Sequence, residues 1–428
     1  HISEIIENKK PNNLKILHGD TLFRKLPLED DIVVVGRPHE TAEWDYSDNN
    51  KNSNLVWAGF FNFSKPKIFL SELKLNDYSF ERAVRSYKIK TQLKYLPNSN
   101  WYDFGHLEEL HKTREKYTSE RSFNNLKKNK YEVKKSSKKK SKILYEYNWF
   151  KYMPNHLQQF LPNVYDYYEK DNQAYYSMNY ISGFSLSELM LFSNFKEVKW
   201  INIIKELLNF FELQERNIPN NSMDLAKQNM NSILHIKNIK RVNKLIETGF
   251  IANNENLIFD NYSLGNINEI VSDLTTIVEN FSCIPAFCHG DLCFSNIIYL
   301  SRGNIIKLID PRGVDSSASL IGDKRYDLAK ISHSLVWGYD RILSGEITFD
   351  RKENSFSETT RFPFKKNQET LKEILIKEGF YKVLLRDDIV ALTALLFISM
   401  IPLHSDCKKR QESLFANGLK IYKTLKIG

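Results

Sequence analysis

The stretch from His289 to Asp310 constrains this chain more than any other. Two short apolar runs, 297–300 and 305–309, flank Ser301-Arg302-Gly303-Asn304, a pattern that predicts a β-hairpin. Asn296 stands at its entrance and Asp310 at its exit. Pairing of the strands must therefore bring those two side chains together. Asp291 precedes Asn296 in a loop entered from the mostly apolar 284–288, and Gly290 beside it allows an unusual backbone angle or a close approach. A carboxylate to orient a hydroxyl, with an amide and a second carboxylate to hold Mg²⁺ on nucleotide phosphates, is the set that phosphoryl transfer needs. The spacing His-x-Asp-x-x-x-x-Asn is that of a kinase catalytic loop. Singly, Asp291 and Asn296 would read as turn caps and Asp310 as a strand end; the combination carries the reading.

His289-Gly290-Asp291 through Asn296, with Ile309-Asp310, resembles the aminoglycoside phosphotransferase and choline kinase-like superfamily, as does the segment 322–330. That resemblance implies Asp291 as the catalytic base and Asn296 and Asp310 as Mg²⁺ ligands, with ATP as phosphoryl donor. Asp327 reads as a structural brace. Arg312 departs from the acidic or aromatic residue common at its position, and either contacts an anionic substrate or pairs with a neighbouring carboxylate. Trp337, Tyr339 and Asp340 lie where this superfamily often builds its acceptor pocket, so Trp337 is either an acceptor contact or core. The strand, Gly turn and helix start at 175–189 resemble the interlobe hinge, with backbone groups of Asn179, Tyr180 and Ile181 facing an adenine edge.

A kinase N-lobe also needs a phosphate-binding Lys and a helical Glu. The alternation Tyr131, Val133, Lys135 puts Lys135 on the apolar face of a strand, and Glu146 lies in an apolar-rich segment that can be helical up to Pro154. Nine Lys fall between 127 and 142, most of them solvated surface, and Lys134 competes with Lys135 for the role.

A second His-Gly-Asp, at 18–20, ends an apolar strand, and another strand follows at 31–35. With 57–63 and Trp101-Tyr102-Asp103-Phe104-Gly105-His106 it resembles the second half of a sugar nucleotidyltransferase. By that resemblance Asp20 and Asp103 jointly hold a metal ion, and CTP or another nucleoside triphosphate is the co-substrate. The family's Gly-rich nucleotide loop has no counterpart before Pro11. The domain is therefore expected to be partial or to lack its nucleotide pocket. The order nucleotidyltransferase then kinase resembles bifunctional enzymes of bacterial surface-polysaccharide synthesis.

At 428 residues and 42% hydrophobic content the chain can bury two or three cores. Its net charge of +9 is spread through Asn- and Lys-rich segments, which argues against nucleic acid as a partner. Cys283, Cys288, Cys293 and Cys407 lack metal-site spacing and fit a reducing cytoplasm. The apolar run 389–403 is too short to span a bilayer and reads as a buried helix ended by Pro402. No secretory leader is visible. The expected fold is α/β and α+β. A partial Rossmann-like nucleotidyltransferase domain of GT-A type spans 1–118, and a bilobal protein-kinase-like domain follows with an N-lobe at 119–182 and a C-lobe at 183–428. Helical patterns are expected at 79–95, 105–118 and 225–247, and a surface loop at 345–366. The expected activity is phosphorylation of an amino alcohol, polyol or sugar, with a non-catalytic nucleotide-binding scaffold as the alternative. Neither the acceptor nor the oligomeric state is legible in the sequence.

Overall fold

The computed structural model describes residues 2–37, 55–98, 100–104, 125–128, 131–359 and 366–427. The chain divides into two compact units, His1–Ser119 and Glu120–Gly428. The expected helix at 105–118 and the residues Gly105 and His106 lie outside the described residues.

In the first unit, strands β1 (Leu14–Leu17), β3 (Ile32–Gly36), β4 (Val56–Phe63) and β5 (Lys94–Pro97) form a sheet in the order β1-β4-β3-β5. Only β3 and β5 run parallel in it. The sheet is thus mixed rather than the parallel array of a Rossmann-like domain, because β1, β4 and β3 follow one another as antiparallel neighbours. Every residue of β3 and β4 is buried, as expected of strands covered on both faces. Val33, Val35, Phe61 and Phe63 pack against helices α2 (Pro66–Leu75) and α3 (Phe80–Lys90). Ile32, Val34, Ala58 and Phe60 form the opposite face, joined by Phe23 and Trp101 from a two-stranded ribbon, β2 (Thr21–Phe23) with β6 (Trp101–Asp103). Gly59, at φ +78°, sits where the β3–β4 register shifts; a Cβ there would lie 2.5 Å from Thr21 Oγ1. A side chain at this bulge would push the β2 ribbon away.

The second unit opens with a four-stranded antiparallel sheet, β7 (Asn125–Lys128), β8 (Glu132–Ser137), β10 (Gln173–Asn179) and β9 (Val164–Lys170), in that spatial order. Helix α4 (Lys140–Tyr152) packs on it and ends before Pro154. A mainly helical body follows. Its centre is Asp387–Ser399, buried from Asp388 onward and enclosed by Lys324–Leu335, Ile267–Glu279 and Lys408–Ile427. One apolar core runs from Val133 and Ile143 through to Leu419 and Tyr422. The periodic stretch 225–247 is a helical run, Ser222–Asn231 and Ile239–Glu247, interrupted by a π-helical segment, Ser232–Asn238.

The polar stretch from 345 is not an irregular loop through its described part. It forms a hairpin, Phe349–Lys352 with Ser355–Glu358, that adds to Leu257–Phe259 in parallel. Only Phe349 and Phe356 anchor it in the core. With one buried residue per strand, the alternation that marks a strand in sequence is too faint to see.

Candidate active site

The predicted hairpin forms as Ile297–Leu300 against Ile305–Leu308, with Ile297 opposite Leu308 and Leu300 opposite Ile305. Phe184–Ser185 adds a third strand, and Ser185 with Glu188 makes a capping box for the helix that follows. Closure of the hairpin brings its two ends together: Ile309 N–H donates to Asn296 O at 2.9 Å. Asp310 leaves the strand at φ +55°, in the left-handed region that disfavours side chains and that recurs at functional sites.

The loop before the hairpin is tied from beneath. Asp327, fully buried on helix Lys324–Leu335, accepts His289 N–H at 2.8 Å and Gly290 N–H at 2.9 Å. Gln214 Nε2 reaches the same carboxylate at 3.0 Å. His289 Nε2 lies 3.0 Å from Ile309 O, while its Nδ1 accepts Asp291 N–H at 3.2 Å. Those two bonds require the Nε2–H tautomer, and burial holds the ring below its ordinary proton affinity. Trp149 donates to Cys288 O at 2.8 Å, so α4 braces the same loop. Gly290, at φ +77°, lies so close to Arg312 that a Cβ would come within 2.7 Å of its side chain.

Asp291 therefore projects from a fixed backbone, with its side chain 42% exposed and Lys330 Nζ 2.8 Å from Oδ1. Burial would raise its proton affinity, but Lys330 outweighs this and holds the carboxyl well below the usual range. Asn296 Nδ2 donates to Asp291 O at 2.9 Å, which leaves its Oδ1 as the oxygen of the amide not used in that bond.

Lys135 projects inward from β8, 2.5 Å from Glu146 Oε2 and 3.0 Å from Asp310 Oδ1. Lys135 and Glu146 are buried, whereas the Asp310 side chain is 47% exposed. Burial opposes the charge on Lys135, but Asp310 and Glu146 raise its proton affinity overall and keep it cationic. Tyr176 also donates to Glu146 at 3.3 Å. Lys134 points to the other face of β8, 5.1 Å from the Tyr168 ring, so only Lys135 reaches these carboxylates.

The segment 179–181 departs in part from the expected hinge. Asn179 N–H is taken by Asn163 O, and Tyr180 N–H by Tyr131 O at 2.8 Å. Of the three backbone donors, Ile181 N–H alone has no partner among the described residues, because the chain bonds to its own sheet edge first. Arg312 is exposed, with its guanidinium 6.0 Å from the centre of the Tyr326 ring. Trp337 packs on the main core, and its Nε1 is buried with no hydrogen-bond partner among the described residues. Burial pushes the Asp340 carboxyl upward despite the nearby Ser187 and Ser334 hydroxyls. A cavity of about 290 Å³ opens beside the loop, lined by His289, Gly290, Arg312, Tyr326, Tyr145 and Trp149 among others.

Sequence reasoning passed over Lys330, Tyr326, Lys237 and Arg241. Lys330 and Tyr326 are one helical turn apart, a signal present in the sequence but uninformative until the helix is docked on the loop.

In the first unit, Thr21 of β2 pairs with Asp103 of β6, and Phe104 N–H donates to Asp20 O at 2.7 Å. Asp20 and Asp103 thus lie at the same end of the ribbon but one residue out of register, Asp103 opposite Thr21 and buried, Asp20 opposite Phe104 and exposed.

Neither a family model nor a curated protein matches the chain. Solved structures similar to it include aminoglycoside phosphotransferase APH(4)-Ia in ternary complex with ADP and hygromycin B, at 9% identity and a TM-score of 0.44 over 73% of this chain and 97% of that one. The streptomycin–ATP complex of APH(2")-IIa is similar at 15% identity and 0.40, over 74% and 95%. A candidate fructosamine-3-kinase from Haemophilus somnus 129PT is similar at 13% identity and 0.40, over 69% and 83%. At such scores the likeness is distant, and the chemistry is read from the site itself. Among the described residues, no helix is long and apolar enough to cross a membrane.

Proposed function

We propose that the second unit is an ATP-dependent phosphotransferase of protein-kinase-like design, acting on a hydroxyl of a small molecule. The observation that carries this is the convergence of two separately built sets on one hairpin. Asp291 and Asn296 lie at its entrance, and Asp310, gripped by Lys135 and Glu146, lies beside them at its exit. In this reading Asp291 accepts the hydrogen of the acceptor hydroxyl as its oxygen bonds to the γ-phosphorus and the bond to the ADP leaving oxygen breaks. The proton passes to solvent with the products. Held ionised by Lys330, Asp291 orients the hydroxyl as much as it deprotonates it. Lys135 fixes the nucleotide phosphates and keeps Asp310 in place. Asn296 Oδ1 and the half-exposed Asp310 carboxylate are hard oxygen donors that suit Mg²⁺, and they would hold it. A bound Mg²⁺ supplies positive charge against the phosphate oxygens. Ile181 N–H is the donor left for an adenine edge. A scaffold without catalysis would have no use for the intact Asp291, Asn296 and Asp310 set. The test is mass spectrometry of products from a panel of alcohols and sugars with ATP and Mg²⁺. A phosphorylated acceptor that disappears with Asp291→Asn supports the reading; ATP binding without transfer to any acceptor counts against it.

A second reading applies to the first unit. We infer a nucleotidyltransferase-type metal site at Asp20 and Asp103, supported by their place on neighbouring strands at the same end of the β2–β6 ribbon. The two units would then act in succession, phosphorylating an alcohol or sugar and coupling it to a nucleotide such as CTP, as surface-polysaccharide precursors require. Mn²⁺ titration of the chain carrying Asp310→Ala, followed by paramagnetic broadening, tests it. Broadening that vanishes with Asp20→Asn supports the site, and its absence removes it.

A further inference from the structure

Three cations crowd one side of the catalytic loop, and among the described residues none of them is in an ion pair. Lys237 Nζ donates to Tyr326 Oη at 2.9 Å and lies 5.2 Å from the centre of that ring. The Arg312 guanidinium approaches the same ring at 6.0 Å. Arg241 follows Lys237 by four positions on a continuous helical run; burial lowers its proton affinity, and the charges of Tyr326, Arg312 and Asp291 act on it as well. Among the described residues no Asp or Glu comes within ion-pair distance of Lys237, Arg241 or Arg312. By contrast Lys330, one turn from Tyr326 on the same helix, is paired with Asp291.

Such a grouping is unfavourable in the free protein. Burial lowers the proton affinity of Lys237, and Arg312 and Arg241 lower it further against Tyr326, to about 8. Burial would raise Tyr326, yet Lys237, Lys330 and Arg312 draw it down to about 8. Like charges held together in a half-buried place are what an anion seat requires, and two guanidinium groups offer forked donors suited to carboxylate or phosphate. Lys237 is carried by the π-helical segment Ser232–Asn238, a form that often marks functional sites.

The position of the cluster ties it to the reaction. Arg312 N–H donates to His289 O at 3.0 Å, which holds Arg312 against the loop that carries Asp291. Tyr326, which the cations surround, and Lys330, which pairs with Asp291 at 2.8 Å, lie one turn apart on the same helix, so the cluster and Asp291 are neighbours along one helix face. The geometry points to an acceptor that carries its own anionic group, a carboxylate or a phosphate ester, a few bonds from the hydroxyl it presents to Asp291, with Arg312, Arg241 and Lys237 as the seat of that anion. This deepens the phosphotransferase reading and rests on it. It narrows the acceptor class away from the cationic amino alcohols.

Calorimetry on the full chain saturated with Mg²⁺ and AMP-PNP tests it, since the nucleotide phosphates are then already bound. The probes are D-glycerate, glycerol 3-phosphate, neutral glycerol and cationic ethanolamine. At least one anion should bind about tenfold or more tightly than glycerol, and ethanolamine should not; which anion wins separates carboxylate from phosphate. Arg241→Gln removes a side chain without hydrogen-bond partners among the described residues, so it should fold normally. It should weaken the preferred anion about tenfold with unchanged AMP-PNP affinity, and Arg312→Gln should weaken that anion too. Anions binding no better than glycerol, or binding unaffected by both substitutions, would overturn the proposal. Failure of AMP-PNP to bind would instead fail the phosphotransferase reading, and the same anions titrated without nucleotide would still decide the seat.

Discussion

Asp327→Ala is the sharpest probe of how the catalytic loop is held. The native carboxylate is fully buried and accepts three donors: His289 N–H, Gly290 N–H and Gln214 Nε2. Alanine leaves all three buried without an acceptor. Each stranded donor costs about 1–3 kcal/mol, so the gross loss is roughly 3–9 kcal/mol. Removing a buried charge relieves some desolvation, and burial does push this carboxyl upward, which trims the loss toward the lower end. Even about 3 kcal/mol is a large share of a typical stability of about 5–15 kcal/mol. Urea unfolding followed by Trp149 fluorescence reports the loss, since that indole is bonded to Cys288 O beside the loop. Hydrogen exchange should show the His289 and Gly290 amides protected in the native chain and exchanging freely in the variant. Asp327→Asn, which keeps one acceptor oxygen, should fall between. A loss below about 1 kcal/mol with unchanged protection of both amides would refute the bracing role.

Glu146→Gln leaves Lys135 with Asp310 as its one remaining charged partner and should cost about 2–4 kcal/mol of stability, with a weaker grip on ATP, read by denaturation and nucleotide titration. Gly290→Ala must hold alanine at φ +77° against Arg312; it should lose about 1–2 kcal/mol and shift Asp291 enough to depress kcat more than ATP affinity. Acceptor affinity should fall as pH rises through about 8. Lys237 loses its positive charge and Tyr326 gains a negative one over the same range, while Lys330 stays cationic and Asp291 stays ionised. KM for an anionic acceptor should therefore rise by about tenfold between pH 7 and pH 9, with little change for a neutral one.

Local chemistry explains what could be read in advance. The hairpin at 297–308 was legible because apolar runs, a Gly-containing turn and polar ends coincide within a few residues. Lys135 and Glu146 could be picked out by strand alternation and an apolar helix, whereas their meeting with Asp310 depends on packing between distant segments. The hinge shows the opposite limit. Nothing in 179–181 reveals that Asn163 and Tyr131 would claim two of its backbone donors. The hairpin at 349–358 was invisible because it buries one residue per strand. The cluster of Lys237, Arg241 and Arg312 around Tyr326 was hidden for a further reason. In a chain so rich in Lys, cations gain meaning only once the fold shows which of them lack a counter-charge among the described residues.

The central claim is that Asp291 receives the acceptor hydroxyl beside a nucleotide held by Lys135, Asn296 and Asp310. The most direct measurement is transfer of the ATP γ-phosphoryl group to an acceptor by the native chain, Asp291→Asn and Asp310→Ala, with nucleotide affinity measured on the same samples. Asp291→Asn should lose about 10²-fold or more in kcat with nearly unchanged nucleotide affinity, and Asp310→Ala should lose Mg²⁺-dependent nucleotide binding itself. Near-normal turnover by Asp291→Asn, or ATP bound by Asp310→Ala with native affinity and metal dependence, would contradict the account.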